Sequence, residues 1–194
     1  MFVLSNLSPP AKRVYQECAA DLGDLIHAWT TFLALVQDAA VADTLNRASP
    51  RFFGAVEAAL RTYSVTLVAK LLERPMVAGK KTAGLEVLLA ECVGDEAARA
   101  ELLRELGELR TSADSVIEYR HKRVVHTDYA VRADGADSKI PSVGEFDGVV
   151  RGLRAFMRRL EQSAGLPTIP YENSNGRRDA HEMVRLLEAG LSAG

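Results

Sequence analysis

Apolar residues recur along the chain in steps of three and four. Phe52, Val56, Leu60, Tyr63, Leu67 and Leu71 form one row. Leu102, Leu106, Leu109, Ala113, Val116 and Val124 form another, with Arg120 standing in phase before its last member. Steps of that size line one face of an α-helix and turn it toward a core. Period-two alternation with β-branched residues is hard to find, so strands are not expected. Helix starts are marked as well. Ser8-Pro9 and Ser49-Pro50 each set a capping hydroxyl before a proline at the first helical position. Ser142 and Glu145 have capping-box spacing, and Asp95 can cap a helix that begins after Gly94.

These signals predict a first helix over 9–46, with a break near Gly23 or Asp38, and a second over 50–73. A short third follows at 83–93, a long fourth at 95–129, a fifth at 143–164 and a last at 177–190. The expected fold is an all-α bundle of about five to six helices. The stretch "GLPTIPYENSNG" (Gly165–Gly176) has turn chemistry. It divides a helical bundle over 1–164 from a linker and C-terminal helix over 165–194. No internal repeat or low-complexity tract is visible.

Composition narrows the function classes. At 194 residues the chain is long enough to bury a full core, and 47% hydrophobic with 26% charged residues is ordinary for a globular protein. A net charge of -2 and a pI near 6.1 exclude a global basic field, so contact with a polyanion requires a local patch. Cys18 and Cys92 stand alone, without a disulfide framework, which fits a reducing compartment. The first residues lack a positive region before their short apolar run, and no stretch approaches a membrane span. A cytoplasmic protein that does not enter the membrane is expected.

Several motifs carry little. Gly79-Lys80-Lys81-Thr82 is only vaguely like the end of a phosphate loop, Arg74 occupies the place of its first glycine and no strand is predicted before it. A loop between helices is expected there. His121 and His126 are five apart, about 140° around an α-helix, and no HExxH, CxxC or close carboxylate cluster accompanies them. No metal and no cofactor is therefore expected. His27, beside Trp29, and His181 read as structural histidines. Arg151, Arg154 and Arg158 form a basic row on the fifth helix, the usual pattern of a solvated face. There is no GxSxG elbow, and neither cysteine has a histidine near it in sequence.

The stretch "YRHKRVVHTD" (Tyr119–Asp128) differs. Arg120 occupies a core-phase position, where a guanidinium costs desolvation unless it meets a partner or reaches a cleft. On a straight α-helix His126 lies about 120° around and roughly 9 Å along from Arg120, with Arg123 between them. His121 and Asp128 share another edge. Cleavage of RNA by its own 2′-hydroxyl needs a base for that hydroxyl, an acid for the leaving oxygen and a cation for the charge on phosphorus. Histidine titrates in the right range for the proton transfers, and a fixed guanidinium binds phosphate through parallel hydrogen bonds. Arg120 and His126 make up that kit without a metal. One helix holds the two side chains apart, and two copies about a two-fold axis would bring four groups around one cleft.

An Arg-x(4–6)-His motif on a late helix of an all-α bundle resembles the HEPN superfamily; here five residues separate Arg120 from His126. The local form is similar to the abortive-infection AbiU-type branch, which tends to read Arg-Asn-Lys-x-x-Ala-His-x-Asp. Lys122, His126 and Asp128 match, while His121 stands for the Asn and Val125 for the Ala. The resemblance covers the helices at about 50–129 best. It implies a metal-independent endoribonuclease acting as a toxin or phage-defence effector, its motif at a homodimer interface and RNA its substrate. Arg120 and His126 would be catalytic, with His121, Lys122, Arg123 and Asp128 auxiliary. Some toxin relatives pair with an antitoxin that modifies a tyrosine in His-x-Tyr, and an antitoxin protein is thus an implied partner. In this chain that position is Asp128, with Tyr129 one further. The competing reading is a non-catalytic helical module that binds RNA or a partner protein through the same basic segment.

Overall fold

The structure is a computed structural model and describes residues 7–125, 140–171 and 175–193. Among the described residues the regular elements are eight α-helices, one π-helical turn and one small hairpin. The chain is all-α. In order, α1 is Pro9–Val36, α2 Ala39–Ala48, α3 Pro50–Leu71, α4 Leu85–Cys92, α5 Glu96–Ser112 and α6 Asp114–Tyr119. The π turn is Arg120–Val125, α7 is Val143–Ser163 and α8 Gly176–Ala193. Between α3 and α4 lie β1 (Met76–Val77) and β2 (Lys80–Lys81).

Local chemistry sets the helix ends. The Ala11 N–H donates to Ser8 Oγ (3.3 Å), Ala40 N–H to Asp38 Oδ1 (2.8 Å) and Ala97 N–H to Asp95 Oδ1 (2.9 Å). The Ser142–Glu145 box is closed in both directions, at 3.2 and 2.8 Å. Gly23 lies inside α1, so the expected first helix is interrupted only near Asp38.

Two expected helices need correction. The helix foreseen over 95–129 ends at Ser112, and Ala113 leaves helical geometry at ψ 0°. The Ala113 N–H reaches both Leu109 O and Arg110 O at 3.0 Å, and the Ser112 hydroxyl donates to Leu109 O at 2.8 Å. These competing bonds tighten the turn and start a new helix. In α3 the apolar row is buried only toward its end, at Leu67 and Leu71, while Phe52 is 60% and Tyr63 46% exposed. Phe53 packs inward instead of Phe52, and the Tyr63 hydroxyl donates to Asp24 Oδ2 at 2.9 Å.

The hairpin replaces the loop expected around Gly79. Ala78 and Gly79 both take positive φ, 49° and 77°, as a two-residue turn between twisted strands requires. For Ala78, whose Cβ crowds the next carbonyl, this costs on the order of 1 kcal/mol.

The chain forms two compact units, Met1–Leu22 with Val65–Pro170, and Gly23–Ser64 with Tyr171–Gly194. The division does not follow the boundary expected after residue 164. In the second unit α8 packs against α2, because Ala180 and Val184 join Leu35, Val41 and Leu45 in one apolar cluster. Gly176 begins α8 where a Cβ would lie 2.6 Å from His27 O and 2.5 Å from Thr31 Oγ1, a space for glycine alone. In the first unit α5 packs against α7 and α4 against α5. Leu106, Ala113, Val116, Leu153 and Leu160 are wholly buried there. Glu161 is also fully buried, with Tyr15 Oη 3.2 Å from its Oε1 and the Ile169 N–H donating to Oε2 at 3.3 Å. Burial and this carboxylate push the Tyr15 phenol well above its usual range.

Candidate functional site

The site grows from the end of α3. Pro75 cannot continue a helix, and the carbonyls of the last turn need donors from elsewhere. Arg110, on the last turn of α5, supplies them: its Nε donates to Leu72 O at 2.9 Å and one terminal nitrogen to Glu73 O at 3.1 Å. The other terminal nitrogen lies 2.6 Å from Glu86 Oε2, in the first turn of α4, where a carboxylate suits the helix dipole. One guanidinium thereby fastens α3, α4 and α5 together. Gly84 completes the junction, since a Cβ there would meet Glu73 O at 2.8 Å.

Two clefts open on either side of Arg74, Arg110 and Asp114. One, of about 450 Å³, is lined further by Ala69, Leu72, Glu73, Val77, Ile117, Arg120 and His121. The other, of about 610 Å³, is lined by Pro75, Met76, Glu86, Gly107 and Thr111.

Arg120 is the contrast to Arg110. It is half-buried at the first residue of the π turn, and its Nε is closed off from solvent with no hydrogen-bond partner among the described residues. A buried donor left unmade costs about 1–3 kcal/mol, and none of the described residues supplies the acceptor for this one. His121 is exposed and lines the same cleft. Arg74 is exposed there too, and forms no ion pair with a described residue. Together the walls present three arginines against Glu73 and Asp114, with the charge of Arg110 already met by Glu86.

Of the residues singled out in the sequence, the structure brings Arg120 and His121 to one cleft. Lys122 Nζ instead lies 2.5 Å from Glu118 Oε1, an exposed ion pair one turn apart. The backbone of Arg123 belongs to the π turn; its side chain, and all of His126 and Asp128, lie outside the described residues. A π turn closes its rings through i→i+5 bonds, so angles drawn for a straight α-helix do not carry through Arg120–Val125. Arg74, Glu73, Asp114 and Arg110 were not foreseen. Arg74 directly precedes Pro75, and Asp114 follows an unmarked break; neither position signals a cleft.

Other candidates stand apart. His27 and His181 are exposed, and Arg151 Nε lies 3.0 Å from Asp147 Oδ2. Among the described residues no group of His, Cys, Asp or Glu side chains is placed to hold a metal ion. Cys18 Sγ donates to Ala83 O at 3.2 Å. Burial, then Asp21, pushes its thiol up to about 12, and burial, then Glu91, pushes Cys92 up to about 11. Thiols raised in this way are poor nucleophiles at neutral pH. No single helix among the described residues is long and apolar enough to cross a membrane, although the bent pair α1–α2 meets the requirement of length and composition.

Comparison with family models, with curated proteins and with solved structures finds no match to the chain.

Proposed function

We propose that this protein is a metal-independent endoribonuclease of the HEPN type, acting in the cytoplasm as a toxin or phage-defence effector. The observation that supports it most is the half-buried guanidinium side chain of Arg120 on the wall of a cleft, with His121 beside it. A guanidinium on a cleft wall can bind a phosphodiester oxygen through its outward N–H groups. In the proposed reaction the 2′-oxygen attacks phosphorus, the bond to the 5′-oxygen breaks, and a cyclic phosphate and a 5′-hydroxyl end result. Arg120 binds the phosphate and neutralises the charge that grows on it. His126 serves as acid or base, and His121 with Asp128 orients substrate or site. A homodimer doubles these groups around one cleft, and an antitoxin is the natural restraint on such an activity.

The test is incubation of purified protein with total RNA in the presence of a chelator. Wild-type protein should cut the RNA to products with cyclic phosphate ends, and His126→Ala should abolish the cutting. Equal cutting by wild type and variant would assign it to contamination. Absence of cutting by wild type would leave the binding-module reading.

A further inference from the structure

We propose that the hairpin Met76–Lys81 is a second wall of the Arg120 cleft, and that its Lys80 takes a backbone phosphate of single-stranded RNA beside the one Arg120 holds. The choice of RNA rests on the function proposed above, whereas the role of the hairpin rests on its register.

In the hairpin Met76 pairs with Lys81 and Val77 with Lys80. Residues directly opposite in an antiparallel ladder share one face, and neighbours along a strand point to opposite faces. Val77 lines the cleft that holds Arg120 and His121, while Met76 lines the cleft beyond Arg74. Lys80 therefore stands with Val77 on the Arg120 side, and Lys81 with Met76 on the other. Both lysines are exposed, and neither forms an ion pair with a described residue. Two neighbouring exposed lysines thus stand on opposite faces of the hairpin, each beside a residue that lines a different cleft.

The face that carries Lys80 suits a nucleic acid strand in other ways. Val77 is 43% exposed and offers apolar surface on which a base or ribose can lie. Arg74, at the foot of the hairpin, lines the same cleft. The Thr82 N–H donates to Pro75 O at 3.0 Å and closes that foot, so the wall is held from below. Phosphates bound along a groove by point charges, with bases laid on apolar surface, is how single strands are held without reading sequence.

Binding is measured by fluorescence anisotropy across a salt series, with a labelled single-stranded RNA methylated at its 2′-oxygens so that it lacks the attacking hydroxyl. Lys80→Ala should weaken binding about threefold to tenfold and reduce the slope of log K on log salt by about 0.7. Lys81→Ala should leave both within error of wild type, and circular dichroism should find all variants folded. Equal losses from the two lysines would overturn the inference, since a diffuse basic surface would then explain them. An unchanged Lys80→Ala beside a weakened Arg120→Met would overturn it too, while leaving the nuclease proposal standing. A selective effect of Lys80→Ala in a protein that cuts no RNA would uphold the hairpin and remove the nuclease. Failure of the wild type to bind the strand would remove both.

Discussion

Two arginines one cleft wall apart illustrate how the surroundings of a side chain decide its role. Arg110 spends its donors on Leu72 O, Glu73 O and Glu86, and it holds three helices together. Replacing it with methionine strands two carbonyls and a partly buried carboxylate. The expected loss is about 2–4 kcal/mol. Thermal unfolding should move down by about 5–15 °C for a chain of this length. The thiols set a second expectation. Cys18 ordinarily titrates near 9 and is raised to about 12, and Cys92 is raised to about 11. The folded state keeps these protons where the unfolded chain releases them. Their contribution is full below about pH 9 and is lost as pH rises toward the folded values. Urea midpoints should therefore fall between about pH 9 and pH 11, and Cys18→Ala should flatten that fall. An unchanged slope would mean the Cys18 thiol ionises freely in the folded protein.

At the scale of elements, α5 and α7 meet where Gly152 leaves room for Leu109: a Cβ at Gly152 would lie 2.7 Å from Leu109 Cδ1. Gly152→Val should cost about 1–3 kcal/mol through overpacking, read by chemical denaturation. Helix starts were legible in the sequence because they are local. Ser8, Asp95 and the Ser142–Glu145 pair cap the helices they precede, whereas Asp38, read only as a break, proves to be the cap of α2. The break at Ala113 was not legible, since Leu109, Ala113 and Val116 keep the helical spacing straight across it and stay buried. Nor was the hairpin. Strands of two residues are too short for alternation to register, and Ala78 sits where a turn of this type usually shows asparagine or aspartate. The cleft was half legible. Arg120 broke the apolar row and so drew notice, but Arg74, Glu73 and Asp114 reach it through the end of α3 and the unmarked break.

For the whole molecule, the C-terminal helix read as an appendage because a turn-rich stretch precedes it. Its apolar face is small, and only the cluster with α2 reveals that it is covered. The all-α character followed from periodicity alone, whereas the pairing of elements depends on contacts far apart in sequence. Stability and function also part company at this scale. The wall of the cleft keeps a guanidinium whose Nε finds no partner among the described residues, although Arg110 shows that the same wall can supply partners to all three nitrogens of one. Under the proposed function Arg120 is kept for binding phosphate, so its removal should cost activity and not stability. The most direct measurement is therefore made on one variant, Arg120→Met, by thermal unfolding and by RNA cleavage in chelator side by side. The variant should be as stable as wild type or up to about 1 kcal/mol more so, with cleavage reduced at least about a hundredfold. Undiminished cleavage, or a variant that unfolds as readily as Arg110→Met, would contradict the proposed function.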